Sequence, residues 1–132
     1  SPEYLRRRGR PDSVEALAAH SVIGYSYAAH GDTWHFDTPE GPREVLTRPR
    51  MRTNNGDICR EVALAHQGLV LQPDFLIADA LQNGQLVEVL PDCRGPELGI
   101  FVVYPSRKHL SVKVRALVDY LIEAFREPAW RS

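Results

Sequence analysis

Apolar and polar positions change period several times along this chain, and each change marks an element. Val22-Ile23-Gly24-Tyr25-Ser26-Tyr27 is β-branched and aromatic, which predicts a strand. A turn at His30-Gly31-Asp32 leads into Thr33-Trp34-His35-Phe36, whose alternation predicts a second, and Gly41-Pro42 separates it from a third over 44–52. The period then becomes helical. Ile58, Val62 and Ala65 form one stripe of a helix over 57–67, with Asn55 placed to cap it and Gly68 where a left-handed C-terminal residue is wanted. Next come an apolar strand over 69–71 stopped by Pro73, a helix over 74–81 closed by Asn83-Gly84, and a strand over 86–90 ending at Pro91. Residues 92–97 read as a crossing loop, and 98–104 is nearly all apolar, as for a strand buried on both faces and ended by Pro105. Ser111 caps the longest helix, 112–126, with Val114, Leu117, Val118, Leu121, Ile122 and Phe125 on one face and Glu127-Pro128 as its stop. At the front, a helical turn over 2–10 ends at Gly9, and a second short helix over 14–20 is capped by Asp12 or Ser13. Helices alternating with strands predict an α/β sandwich.

Composition narrows the class. The 132 residues suit one domain or one lobe of a larger one, and 43% hydrophobic with 25% charged residues is ordinary for a folded globular chain. A net charge of −1 excludes strong non-specific attraction to nucleic acid by this segment, despite Arg6, Arg7, Arg8 and Arg10 at its front, which read as a solvated surface. No apolar run reaches membrane-spanning length and no signal-peptide layout appears, so a cytoplasmic location is expected. Cys59 and Cys93 lack C-x-x-C spacing and are expected as two reduced thiols. Ser stands at position 1 instead of an initiator Met, as expected of a processed product or a fragment.

Candidate chemistry points to binding, and the expectation is a non-enzyme with no cofactor. His30 and His35, with Asp32 and Asp37 nearby, offer ligands around a hairpin, but no third ligand follows at a zinc-like spacing, so no metal site is expected. Ser26 lacks a G-x-S-x-G elbow, and no glycine-rich dinucleotide loop occurs. A hydrolase or metal enzyme built on these groups is the distant alternative. The polar turn Thr53-Asn54-Asn55-Gly56-Asp57 survives this filter, because hydroxyl, amides and a glycine at a helix start can grip a small ligand, with a lean towards an anion. The same residues would serve equally as a plain helix cap. Tyr25-Ser26-Tyr27 and Trp34 can supply an aromatic wall with polar handles, or pack into the local core.

In order along the chain, the segments resemble the LysR-type transcriptional regulators, in the C-terminal part of their effector-binding domain. Ser1-Pro2-Glu3-Tyr4-Leu5 with Gly9-Arg10-Pro11 resembles the family's "SPaYL…G.P" segment. Leu17, His20 and Ile23-Gly24-Tyr25-Ser26, then Trp34-His35-Phe36, resemble its next two strands. Asn54-Asn55-Gly56-Asp57, Gly68-Leu69, Leu71, Pro73 and Phe75 resemble the central "NNGD…aG.Gi..lP.f" block. Leu81, Gly84, Leu86-Val87 and Val89-Leu90 follow, and Tyr104-Pro105, His109-Leu110-Ser111 and Val114 to Asp119 complete the series. His66 departs from it, standing where many relatives have glycine, and Val70 and Gln72 alter the strand after it.

The resemblance implies a periplasmic-binding-protein-like (type II) α/β effector-binding domain. Residues 14–91 would be its second lobe, with 1–13 and 92–132 the crossover and the returning part of the first. A small-molecule effector would lie between the lobes, contacted here by Tyr25, Ser26, Tyr27, Thr53, Asn54, Asn55, Gly56 and Phe75. Further implied partners are DNA, through an N-terminal winged helix-turn-helix absent from this chain, and further copies in a dimer or tetramer. A stand-alone binding module of the same fold and a purely assembly role are the remaining alternatives.

Overall fold

The computed structural model describes residues 1–104 and 111–128. It divides into two compact units, residues 1–97 and residues from Leu98 onward. Pro105 and the His109-Leu110 pair of the family resemblance lie outside the described residues.

In the first unit, helix α1 (Pro2–Arg8) is capped by Ser1, whose hydroxyl accepts the Tyr4 N–H, and ends at Gly9 with φ 81°. The arginines are largely engaged. Hydrogen bonds from Arg6 and Arg7 pull the Glu3 carboxyl down to about 2, and Arg10 donates to the Glu88 carbonyl. Val14 stands at the N-cap position of a 3-10 turn, Glu15–Ala19, and Ser13 Oγ, one residue earlier, accepts the Ala16 N–H at 3.3 Å. Strands β1 (Val22–Tyr25), β2 (Thr33–Thr38), β3 (Gly41–Leu46) and β4 (Pro49–Thr53) follow.

These strands form two small sheets. β2 and β3 make an antiparallel hairpin, whereas β1 and β4 pair in parallel with Tyr25 opposite Thr53. The single strand expected over 44–52 is therefore two. At the break, Thr47 turns inward (2% exposed) and gives both its N–H and its hydroxyl to the Asp32 carbonyl, at 3.0 and 2.7 Å. Pro49 follows and cannot continue a ladder as a donor. The strand expected through Tyr27 ends at Tyr25, because the chain leaves β1 in a turn closed by the Ala28 N–H on the Tyr25 carbonyl at 3.1 Å. Along β2 the expected alternation buries Trp34 and Phe36 with Tyr4, Val14, Leu17, Val22, Val45 and Leu69. Trp34 is thus a core residue and no part of an aromatic wall.

Helix α2 (Gly56–Leu64) starts at the Asn55 cap, as its sequence predicts. Its end differs. The left-handed residue is His66 (φ 64°), and the Gln67 N–H reaches back to the Val62 carbonyl at 3.2 Å, a Schellman closure. Gly68 serves a different purpose. A Cβ there would stand 2.5 Å from the Ser21 carbonyl oxygen, where Leu69 bridges in parallel to Val22. Beyond that bridge, 69–71 forms no longer strand. α3 (Asp74–Gln82) packs on α2 around Ala63, Ala80 and Leu86. Residues 86–90 form no strand, and Leu90 kinks at φ 55° before Pro91. The chain then crosses beside the hairpin, where Asp37 and Arg94 exchange both backbone hydrogen bonds at 2.9 and 2.8 Å.

Cys59 is fully enclosed and burial pushes its thiol up. Burial, then the carboxylates of Asp92, Glu40 and Glu15, push Cys93 up as well. Because only the thiolate alkylates readily, iodoacetamide at neutral pH is expected to label Cys93 slowly and Cys59 only on unfolding. Peptide mapping of time points checks this, and prompt native labelling of Cys59 would contradict the packing.

Among its described residues the second unit holds one helix, α4 (Val112–Ala124), capped by Ser111 through the Val114 N–H at 3.3 Å. Its apolar stripe exists as expected, yet none of its residues is buried. Residues 98–104 carry no strand, and Phe101 and Val103 are 82% and 90% exposed. A strand is defined by partners for its amides and carbonyls, and among the described residues none pairs with this segment.

Candidate functional site

Parallel pairing of β1 with β4 brings two sequence-distant segments together at their C-terminal ends. The Ser26 N–H donates to the Thr53 carbonyl at 2.9 Å, so Tyr25-Ser26 and Thr53-Asn54 are neighbours. Carboxyl ends of adjoining parallel strands, followed by a helix start, are where open α/β sheets hold ligands. The turn itself is ordered by local bonds. Thr53 Oγ1 accepts the Asn55 N–H at 3.2 Å, and Asn55 Oδ1 accepts the Asp57 and Ile58 N–H groups at 2.8 and 3.2 Å. Two of the helix-start donors are therefore already taken, and the first turn also carries the Asp57 carboxylate. Both facts weaken the lean towards an anion at this helix end.

Gly56 is needed, though for packing. A Cβ there would come within 2.5 Å of Leu76 Cδ1 and 3.1 Å of Gln72 Oε1. This close approach seats the first turn of α3 against the start of α2, and Phe75, beside Leu76, is about half exposed. Tyr25 and Tyr27 meet edge to face, with ring centroids 5.9 Å apart and planes at 88°, and both reach solvent. Ser26, Asn54 and Asn55 are exposed, and Thr53 is half-buried. The structure thus gathers Tyr25, Ser26 and Tyr27 with Thr53, Asn54, Asn55 and Gly56 at one end of the β1–β4 pair, and Leu76 ties Phe75's helix to them.

The hairpin histidines behave differently. His30 and His35 rings meet with centroids 4.3 Å apart and planes tilted by 53°, and His35 Nδ1 lies 3.6 Å from Glu44 Oε2 across the ladder. Among the described residues no three His, Cys, Asp or Glu side chains gather as a metal site would require. No helix among them is long and apolar enough to cross a membrane.

Two residues at this end were not legible as a pair. Arg52 Nε donates to Asp32 Oδ1 at 3.2 Å and its Nη2 to Oδ2, and the carboxylate raises the guanidinium pKa further. They are 20 positions apart, and no local spacing signals their meeting.

The LysR substrate binding domain model matches residues 1–126. The chain belongs to this family. The LysR-type resemblance read from the turn, strand and helix segments therefore holds, and with it the type II periplasmic-binding-protein-like fold. Among curated relatives, this LysR-family chain is 35% identical over 131 residues to the HTH-type transcriptional regulator PtxR of Pseudomonas aeruginosa, covering 97% of the chain and 41% of the relative. It is 31% identical over 125 residues to the HTH-type transcriptional regulator CrgA of Neisseria meningitidis serogroup B, covering 93% and 41%. The full-length Vibrio cholerae virulence activator AphB aligns with TM-score 0.80 and 27% identity over 93% of the chain and 42% of that structure. The AphB regulatory domain from Vibrio vulnificus aligns at 0.77 and 28% over 93% and 61%. The chain thus spans about two-fifths of the length of these regulators.

Proposed function

We propose that this chain is the effector-sensing part of a LysR-type transcription regulator, and that Tyr25, Ser26, Tyr27, Thr53, Asn54, Asn55, Gly56 and Phe75 contact a small-molecule effector. The observation that carries the site is the junction of the β1 and β4 ends with the α2 start, held by the Ser26–Thr53 hydrogen bond. Exposed hydroxyls, amides and aromatic rings converge there without being consumed by the core. Residues 14–91 act as the second lobe, and the open apolar stripe of α4 with residues 98–103 belongs to the first. An effector held between the lobes favours one arrangement over another by its differential affinity. That difference is relayed to an N-terminal winged helix-turn-helix on DNA, in a cytoplasmic dimer or tetramer. The curated relatives PtxR and CrgA, both named as HTH-type regulators, support this reading over an enzyme.

The test begins with a thermal-shift screen of small metabolites on the full-length regulator, followed by calorimetric titration of a hit. Thr53→Val and Asn54→Ala are each expected to weaken binding about fivefold, the loss of one net hydrogen bond of about 1 kcal/mol. Unchanged affinity in both variants would remove the site assignment.

A further inference from the structure

We infer that Asp32 and Arg52 form a positioning pair that holds the loop bearing Ser26 and Tyr27 in its site conformation. The inference rests on the effector-site reading above. After β1 the chain passes through consecutive tight turns: Ala28 N–H bonds the Tyr25 carbonyl, Gly31 N–H the Ala28 carbonyl and Thr33 N–H the His30 carbonyl, each at 3.1 Å. Gly31, at φ 59°, takes the left-handed bend. This compact loop is gripped at both ends by adjacent residues of β4. The Thr53 carbonyl takes the Ser26 N–H at one end, and the Arg52 guanidinium takes the Asp32 carboxylate in a two-point fork at the other.

Asp32 is itself fixed from the opposite side. Its carbonyl accepts the N–H and the hydroxyl of buried Thr47 at 3.0 and 2.7 Å. The pair thus ties the far end of the loop to the same strand end that presents Thr53 and Asn54. An Arg–carboxylate fork fixes direction as well as distance. Exposed ion pairs contribute little to overall stability, so the pair acts through local order, with Tyr27 and Ser26 as the groups it positions.

Amide hydrogen exchange of the unliganded full-length regulator tests the pair independently of any effector. Asp32→Asn and Arg52→Gln are each expected to speed exchange at the hydrogen-bonded amides of Ala28, Gly31 and Thr33 about tenfold, with the melting temperature nearly unchanged. The double variant should be no faster than either single, because the two residues act as one unit. Unchanged exchange, or accelerations that multiply in the double variant, would overturn the pair whatever the protein binds. Benzoate, succinate and indole then serve as binding probes. A probe that Thr53→Val weakens is expected to lose at least threefold in both pair variants. If the pair variants leave such a probe untouched, the positioning role falls and the effector site stands. If they weaken a probe that Thr53→Val and Asn54→Ala do not affect, the effector-site reading falls while the pair's local role stands.

Discussion

Gly68→Ala is expected to cost about 2–4 kcal/mol of stability and to lower the melting temperature by roughly 10 °C. The added Cβ would lie 2.5 Å from the Ser21 carbonyl oxygen, 2.9 Å from its carbon and 3.0 Å from Ile23 Cδ1. Two of these three neighbours are backbone. They cannot yield without lengthening the bonds that dock the chain after α2 onto β1, the Leu69 N–H to the Ser21 carbonyl and the Ile23 N–H to the Leu69 carbonyl, both 2.9 Å. The penalty therefore combines overpacking with one or two lost hydrogen bonds of about 1 kcal/mol each. Gly84→Ala is the control. Gly84 sits at φ 69° with nothing within 4 Å of its would-be Cβ, so only left-handed strain of about 1–2 kcal/mol applies. Urea unfolding of both variants checks the contrast, and equal losses would mean that the Ser21 contact is not the cause.

Tyr4→Phe is expected to cost about 1–3 kcal/mol, although it removes a single oxygen. The Tyr4 hydroxyl accepts the Ser21 N–H at 2.9 Å and lies 3.1 Å from His20 Nδ1, with its ring among the buried residues of the main core. The same hydroxyl also reaches the Ser21 carbonyl at 3.4 Å, so one oxygen ties the main chain of Ser21 and the ring of His20 to the core. Burial, and secondarily the charge of Arg8, lower the His20 pKa in the folded chain. The sign follows directly. The unfolded imidazole, near its ordinary value of about 6.5, binds protons more readily than the folded one. This contribution to stability is complete above that value and declines as pH falls through it towards the lowered folded value. Unfolding midpoints measured from pH 8 to pH 5 should show the decline in the parent. His20→Gln should flatten it, and an identical slope in that variant would clear His20 of the effect.

Local chemistry made much of this legible beforehand. Asn55 and Ser111 are side chains that satisfy helix-start amides within three residues, and the structure uses both as caps. The Thr33 to Phe36 alternation likewise buried Trp34 and Phe36 as its period dictates. The polar turn at Thr53 to Asp57 could be seen as a candidate site because its donors and acceptors are neighbours in the chain. Tyr25 to Tyr27 stood out by its own rings and hydroxyls, but its meeting with that turn came only through the family resemblance, because no sequence spacing announces a parallel pairing across 28 positions.

Tertiary contact decided the rest. A left-handed helix end needs a positive φ, which His66 supplies with Ser1 Oγ at 2.8 Å from its Nδ1, while the glycine two residues later answers a steric demand from Ser21. The demand on Gly68 is invisible without the chain that leads into β1. Residues 98–104 and α4 have the composition of buried elements yet stand exposed, since burial is a property of what lies opposite and not of the segment. The Asp32–Arg52 fork belongs to the same class. Caps, turns and periodicity are settled by atoms a few residues apart, whereas register, close approach and ion pairing depend on which distant atoms the folded backbone brings within reach.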